Sequence, residues 1–498
     1  MKKIAIIGGG VAGLSAGIYA LKSGFACDIY EQHICAGGEC TSWKRKGYHI
    51  DNCVHWLTGT NPQKEVYQVW KELHVLGDDV EIIQNNSFLH LESNGESLDL
   101  WQDTRRMRKD MLALSPVDAD AINTFVDQVE TYMLMDMPAL KPIEQLSIKE
   151  FWRLLKKLRP VGKVHGKLSK ISLQQYAKRF KHPLLQKMML AYMPATYKVS
   201  SWLFVLGTFC SGNGALPRGG SEGITNRMVD LFLSLGGTIH TRKRAVNLTL
   251  GKKQVESVQF SDGSVAYADY YIMACDTSVV FQKLLPAKYV DKFFAKHYSD
   301  KKAHPVYSSF NTYIAVDADT SFLGDTTWFD CEPYWAVGKV QQSVLLKNFI
   351  TEPTFAPVGK NIFQTLLVQY EDDFNRWEDL YLHNLEQYKE AKHNLANYVV
   401  KRIEQQYPQL AGKMEVVETV SPYSFYRFCG AYKGSYMSFI LSPYAPKKTG
   451  KGRVKGLSNL YLSGQWLQPP GGLPNAAVTG RFTIQRLCKD LKRPFNAQ

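Results

Sequence analysis

Apolar residues recur at two different periods along this chain, and each change of period marks an element. Lys3 to Ile7 reads as a short apolar strand, Val11 to Ser23 as a helix built on Leu14, Ile18 and Leu21, and Ala26 to Tyr30 as a second strand. Together they make a βαβ unit in the first 35 residues. Ser115-Pro-Val-Asp starts a helix that sets Ile122, Phe125, Val126 and Val129 on one face. A second, long helix is predicted from about Trp377 to Gln406, stopped by Pro408, with Leu385, Tyr388, Leu395, Tyr398, Val399 and Ile403 as its buried stripe. Three stretches rich in β-branched and aromatic residues read as strands: Tyr307 to Val316, Ser343 to Phe349 and Ile362 to Tyr370.

Between residues 214 and 276 the pattern shortens. Leu216-Pro-Arg-Gly-Gly-Ser-Glu-Gly opens a helix from Ile224 to Leu235, and a Gly236-Gly237 turn follows. Short strands come next, at Thr238 to Thr241, Ala245 to Leu250, Val255 to Phe260 and Tyr270 to Ala274, with an Asp262-Gly263 hairpin signal between the last two. No repeat and no low-complexity linker separates these blocks, so the domains are expected to be interleaved in sequence.

Composition narrows the class. With 498 residues, 45% hydrophobic and 21% charged, the chain has room for two to four domains and is neither disordered, collagenous nor a small disulfide scaffold. Its nine cysteines are scattered without a CxxC pair, which favours a reducing cytoplasm and argues against structural zinc. Met1-Lys-Lys and the apolar run after it have the outline of a secretory signal, but Gly8, Gly9, Gly10 and Gly13 interrupt that run. No uninterrupted apolar stretch is long enough for a transmembrane helix, so a soluble or membrane-surface protein is expected.

The distribution of charge changes the picture more than its total. Residues 149–187 hold twelve basic residues and one acid, Glu150, or +11 of the chain's +14. Phe151, Trp152, Leu154, Leu155 and Leu158, then Leu168, Ile171, Leu173, Tyr176 and Phe180, are interleaved with them. Such mixing at helical spacing suits either a helix resting in an anionic headgroup layer or a solvated helix whose apolar side packs on its own domain. No nucleic-acid motif accompanies the patch, and no nucleic-acid partner is expected.

The glycine-rich run has its own chemistry. Gly8-x-Gly10-x-x-Gly13 follows a strand and opens a helix, and Glu31 ends the next strand. Gly8 permits a tight turn, Gly10 lets backbone approach a pyrophosphate at the positive helix end, and Gly13 allows close helix–strand packing. Glu31 can accept from a ribose hydroxyl and would repel a 2′-phosphate. Further along stand Gly37-Gly38-Glu39, Thr41-Ser42 and Gly47-Tyr48-His49-Ile50-Asp51. Near the C-terminus a strand ends on Gly464-Gln465, and after Pro469-Pro-Gly-Gly a helix begins near Leu473-Pro474. That loop and helix end suit the electron-rich edge of a reduced flavin.

At these residues the chain resembles the flavin-dependent phytoene desaturase family, with its carotenoid isomerase and retinol saturase relatives, within the amine-oxidase-like flavoprotein fold. The resemblance spans nearly the whole chain: the N-terminal glycines with Glu31 and Gly37-Gly38, the Tyr48 to Leu57 segment, the Ser115-Pro-x-Asp helix, Pro217-x-Gly219-Gly220, the Trp377 to Pro408 helix, Ser421-Pro422 with Phe425-Tyr-Arg427, and the Gly464 to Arg481 tail. It implies an α/β fold in which a Rossmann-like FAD-binding domain (1–65, 214–290 and 440–498) is interleaved with an α+β substrate domain (66–213 and 291–439) whose sheet is mixed or antiparallel. FAD contacts would come from Gly8, Gly10, Val11, Ala12, Gly13, Glu31, Gly38, Glu39, Thr41, Ser42, Val246, Gly464, Gln465, Gly472, Leu473 and Pro474. Many flavoproteins of this fold carry Asp where this chain has Gln465, which still hydrogen-bonds but has no charge.

No second GxGxxG lies between a strand and a helix; Gly450-x-Gly452, in Pro446-Lys-Lys-Thr-Gly-Lys-Gly-Arg, reads as a basic loop. A separate nicotinamide domain is therefore not expected, and electrons would pass to quinone or oxygen, or cycle without net flow in an isomerisation. Hydride transfer at a flavin needs no protein nucleophile, and the chain has no GxSxG, HExxH or CxxC. His55 and Trp56 are the pocket candidates beside the ring, with Tyr426 and Arg427 on a facing strand region; each has an ordinary structural role as its alternative. The activity expected is oxidoreduction at carbon–carbon bonds of a hydrophobic polyene or isoprenoid lipid. An amine oxidase and a non-catalytic lipid or prenyl-protein binding module of the same fold are the other readings.

Overall fold

The computed structural model describes residues 1–445 and 448–498; Pro446 and Lys447, the first two residues of the expected basic loop, lie outside the described residues. One sheet has five parallel strands in the order Thr238–His240, Ala26–Tyr30, Lys3–Ile7, Tyr270–Met273, Leu460–Leu462. Its strands come from three separated stretches of chain, as interleaving requires. Strand Lys3–Ile7 is buried on both faces, which is why it reads as a continuous apolar run. Helices Val11–Lys22 and Leu473–Asp490 pack at close range: a Cβ on Gly480 would stand 2.6 Å from Ser15 Oγ, and that hydroxyl donates to Ala477 O at 2.7 Å.

The second sheet has seven strands in the order Met414–Val420, Tyr307–Val316, Asn361–Tyr370, Lys339–Asn348, Thr326–Ala336, Ser87–Ser93, Glu96–Trp101. All pairs are antiparallel except Thr326–Ala336 with Ser87–Ser93. Helices Ala119–Met133 and Val199–Cys210 share a core with this sheet through Phe125, Val129, Trp202, Leu206, Leu89 and Trp328. The structure is thus α/β, a parallel nucleotide-type sheet joined to a mixed sheet with helices.

Two expectations change. The long C-terminal helix is two, Glu371–His383 and Leu385–Gln406, broken at Asn384, whose side chain caps the second by accepting from Gln387 N at 3.0 Å. Leu385 and Tyr398 face solvent, while Tyr388, Leu395, Val399 and Ile403 are buried. The Asp262-Gly263 turn joins Val255–Phe260 to a short strand, Val265–Ala266, and not to Tyr270–Met273, which runs in the parallel sheet.

Residues 149–187 divide. Leu168, Leu173, Tyr176 and Phe180 are buried, so the second half is core. The first half is the helix Ile148–Leu168, started by a Ser147–Glu150 capping box. Its Ile148, Phe151, Trp152 and Leu155 are exposed, Trp152 at 65%, and repeat at i, i+3, i+4, i+7 as one bare apolar stripe.

A tight junction joins the two sheets' connections. Gly220 opens helix Gly220–Ser234 at φ +54°, and a Cβ there would stand 2.2 Å from Asp51 Oδ2 and 2.8 Å from Phe355. Gly220→Ala is expected to cost about 2 kcal/mol or more, read as a lower urea midpoint; an unchanged midpoint would show that this junction does not constrain the fold.

Candidate functional site

A single cavity of ≈1410 Å³ runs from the carboxyl ends of the parallel strands across to the mixed sheet. At its first end Gly8 adopts φ +111°, where a Cβ would meet Ala274 O at 2.8 Å, and a Cβ on Gly13 would lie 1.9 Å from Gly8 O. Only glycines close this turn. Helix Val11–Lys22 begins there with no side-chain cap, so the amides of Val11 and Ala12 open on the cavity beside Gly8 and Gly10. Glu31 is buried, Oε2 accepting from Gly9 N at 2.7 Å and Oε1 from His33 N at 2.8 Å. Each oxygen keeps a second lone pair for a ribose hydroxyl. Val246 is the extra residue of a bulge between Ala245 and Asn247, which frees its backbone groups at the cavity wall.

At the far end of this trough, Gly464, Gly472, Leu473 and Pro474 line the cavity, and helix Leu473–Asp490 begins, also without a side-chain cap. Gln465 is fully committed: Oε1 accepts from Gly472 N at 2.8 Å, and Nε2 donates to Glu39 Oε2 at 2.9 Å and to Tyr436 O at 3.2 Å. These bonds clamp the Pro469–Gly472 loop, and Gln465 itself lines the cavity. Burial, then the nearby Asp276 carboxylate, pushes Glu39 up to about 8, and burial pushes Asp276 up to about 6.

The inner chamber is hung on Asp51. This buried carboxylate accepts from Cys53 N, Val54 N, Ser221 N and Ser221 Oγ, pinning the Asn52–Trp56 loop to the start of helix Gly220–Ser234. His55 then meets the mixed sheet, Nε2 lying 2.6 Å from Gln364 Oε1. An amide oxygen only accepts, so Nε2 carries the proton and Nδ1 is the basic nitrogen. Burial, then the Lys347 charge, lowers the His55 pKa and keeps the ring neutral. Gln364 Nε2 donates to Tyr313 Oη at 3.0 Å, and Tyr313 donates to Asn52 Oδ1 at 2.7 Å. Trp56 Nε1 donates to Tyr192 Oη at 3.3 Å.

Of the residues singled out in sequence, His55, Trp56, Glu39, Gly38 and the glycine and helix-end positions all border this cavity, and Gly13 lies beneath it. Thr41 and Ser42 do not line it; Ser42 begins strand Ser42–Arg45, and Thr41 O accepts from Asn52 N. Tyr426 and Arg427 lie on a helix, Pro422–Cys429, not on a strand. Arg427 stacks 4.4 Å over the Tyr381 ring and Tyr426 packs on Phe374 and Tyr423, and both line the same cavity as His55. Sequence reasoning missed Tyr307, Ser309, Asn311 and Gln364, which form the cavity floor. The sequence showed the strand Tyr307–Val316 but gave no separate signal for these positions, since buried polar residues stand on both of its faces, Ser308 and Thr312 on one and Ser309 and Asn311 on the other.

A parallel sheet with two uncapped helix ends opening on one trough defines a dinucleotide-binding oxidoreductase fold. Residues 11–487 match the family model described as flavin containing amine oxidoreductase, and the chain belongs to that family; its cofactor is FAD. It is 22% identical to a phytoene desaturase (lycopene-forming) of Pseudescherichia vulneris over 99% of this chain and all of that protein. It is equally 22% identical to a 4,4'-diaponeurosporene oxygenase of Staphylococcus aureus (strain MW2), over 98% of each. Among solved structures, a putrescine oxidase triple mutant superposes with a TM-score of 0.62 at 11% identity, covering 99% of this chain and 98% of that one. An oxidoreductase from Methanosarcina mazei superposes at 0.59 and 16%, covering 97% and 100%. The residues present fit the cofactor, because the glycine cradle leaves no room for a Cβ and two free helix N-termini face one trough. The protein is an FAD-dependent oxidoreductase.

The Glu39 carboxyl gives a pH signature. Its folded pKa, about 8, lies above the ordinary 4.5, so its contribution to stability is complete below about pH 4.5 and is lost as pH rises to about 8. The expected slope is up to about 1.4 kcal/mol per pH unit. Glu39→Gln, which keeps an acceptor for Gln465, should flatten the urea midpoint of the protein between pH 5 and 8; an unaltered slope would place the proton elsewhere.

Proposed function

We propose that this enzyme acts on carbon–carbon bonds of a hydrophobic polyene or isoprenoid lipid, by desaturation, saturation or isomerisation. The observation that carries the reading is the course of the cavity, which continues past the trough between Met137, Met193, Phe204 and Leu345 and reaches the surface at Ile143, beneath Leu154 and Leu158 of the basic helix. The names of the two curated relatives, a desaturase and an oxygenase of carotenoid type, favour the same substrate class.

On this reading Gly8, Gly10, Val11 and Ala12 would hold the pyrophosphate, Glu31 the adenosine ribose and Val246 the adenine, while Gly464, Gly472, Leu473 and Pro474 would border the ring. FAD supplies the hydride acceptor or donor. Neutral His55 would offer Nδ1 to a proton of the reacting carbon chain, with Trp56 fixing the chain beside it. A quinone or oxygen would take the electrons of a net oxidation. The mouth supports a peripheral membrane role: the bare stripe of Ile148, Phe151, Trp152 and Leu155 is bordered by exposed Lys149, Arg153 and Lys156, the arrangement of a helix lying in an anionic headgroup layer. Among the described residues no helix is long and apolar enough to cross a membrane.

Two measurements test this. In an anaerobic titration, a polyene that is a donor bleaches the oxidised flavin band, whereas a saturase or isomerase responds only when pre-reduced; indifference of both flavin states to every polyene and isoprenoid offered would end the proposal. The wild-type protein should sediment with anionic liposomes at low salt, and Trp152→Glu with Phe151→Glu should abolish this while leaving the flavin spectrum unchanged. Equal sedimentation of the variant would remove the docking role.

A further inference from the structure

The hairpin that carries Asp51 continues past its last strand pair, and the continuation sets two cysteines face to face. Strands Ser42–Arg45 and Tyr48–Asp51 pair antiparallel, Arg45 with Tyr48, Lys44 with His49, Trp43 with Ile50 and Ser42 with Asp51. One step further Asn52 N donates to Thr41 O at 3.4 Å, and the same register then puts Cys40 opposite Cys53. Hydrogen-bonded and non-hydrogen-bonded pairs alternate along such a ladder. Thr41 with Asn52 is a hydrogen-bonded pair, so Cys40 with Cys53 falls at a non-hydrogen-bonded one, where Cα atoms stand about 4.5 Å apart and side chains come closest. A disulfide spans Cα separations of about 4.4–6.8 Å.

Both halves of the pair are held in place. Cys53 N donates to Asp51 Oδ1 at 3.1 Å, Cys40 O accepts from Thr225 Oγ1 at 2.8 Å, and Cys40 Sγ lies 3.7 Å from Ser221 O. The two thiols meet: the hydrogen bond to Cys40 is the first cause, ahead of burial, that raises the Cys53 thiol well above its ordinary range. Their exposure differs. Cys40 is 1% exposed and lies behind the wall, whereas Cys53 is partly exposed and lines the FAD cavity. Glu39 is near enough to Cys53 to add to that rise, and the same carboxyl holds Gln465 at the end of the trough bordered by Gly472 and Leu473.

We infer that Cys40 and Cys53 are a redox pair of the enzyme, closing to a cross-strand disulfide and giving their electrons to FAD. Both S–H bonds break and one S–S bond forms; the two electrons and two protons released reduce oxidised FAD, and the reverse transfer reopens the bond. Cys53 meets the cofactor at the cavity wall, and Cys40 closes the bond from behind. The protein then holds one electron pair on the flavin and a second on sulfur. A reaction that begins from reduced flavin, a saturation or an isomerisation, draws on that second pair. The inference rests on the proposed position of the flavin ring toward Gly472 and Leu473, and not on the identity of the lipid.

The test is an anaerobic titration with dithionite of the FAD-loaded protein, oxidised beforehand with diamide and freed of it. Full reduction of the wild type should take about four electrons per FAD, and of Cys53→Ser or Cys40→Ser about two, because a disulfide accepts two. Mass spectrometry should find the peptides of Cys40 and Cys53 joined in the oxidised wild type and separate after reduction through the flavin. Cys53→Ser alone decides the matter if Cys40→Ser does not fold. Peptides that stay unjoined after diamide would overturn the pairing. Joined peptides in a wild type that takes only about two electrons per FAD would show that sulfur and flavin exchange none, and would overturn the inference as well. No lipid enters the titration, so the lipid reading stands or falls on its own experiment.

Discussion

The Asp51 carboxylate is the constraint on which the working parts depend. It stands where a β-hairpin strand, Tyr48–Asp51, ends, and it takes four hydrogen bonds from two segments 170 residues apart in sequence. Charge-assisted bonds of this kind, buried and mutually reinforcing, are stronger than neutral ones and leave little freedom. The loop they fix carries Asn52, His55 and Trp56, and each of these touches a different wall of the chamber: Asn52 the strand Tyr307–Val316, His55 the strand Asn361–Tyr370, Trp56 the helical side at Tyr192. The glycine at 220 is the geometric counterpart, since any side chain there would occupy the space of the carboxylate.

Electrostatics divide the cavity into two environments. In the trough, two helix N-termini present amides to a group that carries negative charge, and the carboxyls at the same end, Glu39 and Asp276, are held above the ordinary carboxylate range by burial, Glu39 also by the Asp276 charge. A neutral Glu39 lets an acidic side chain lie close to a pyrophosphate-bearing cofactor without repulsion, and its tie to Gln465 keeps the Pro469–Gly472 loop in place. In the chamber the polar groups are neutral amides, hydroxyls and an uncharged imidazole, an environment suited to uncharged lipid.

How far sequence could see follows from how local each feature is. The turn at Gly8–Gly13 was legible because its reason is steric and short-range, a carbonyl 1.9 Å from where a Cβ would be. Strands Lys3–Ile7, Ala26–Tyr30, Tyr307–Val316 and Asn361–Tyr370 were legible from their apolar runs, whereas Ser87–Ser93, Thr326–Ala336 and Met414–Val420 of the mixed sheet were not read. The partners of the Gln465 amide, Glu39, Tyr436 and Gly472, were not legible because they depend on three segments meeting. The break at Asn384 escaped because apolar spacing runs across it, and a capping side chain competes with helix only once the two halves pack. Tyr426 and Arg427 lie on a helix with Pro422 at its first position, a start signal that the strand reading of this region did not use.

The gradient along the cavity bears on how a lipid would reach the flavin. Moving a polyene with about 400 Å² of apolar surface through water would cost on the order of 10 kcal/mol at ~25 cal/mol per Å², which would dominate any rate limited by transfer. On the proposed reading, a helix whose bare apolar stripe lay in the headgroup layer, with Ile143 lining the cavity near Leu154 and Leu158 of that helix, would let the lipid pass from one apolar medium to another. That step is nearly neutral in free energy and therefore supplies little discrimination among lipids.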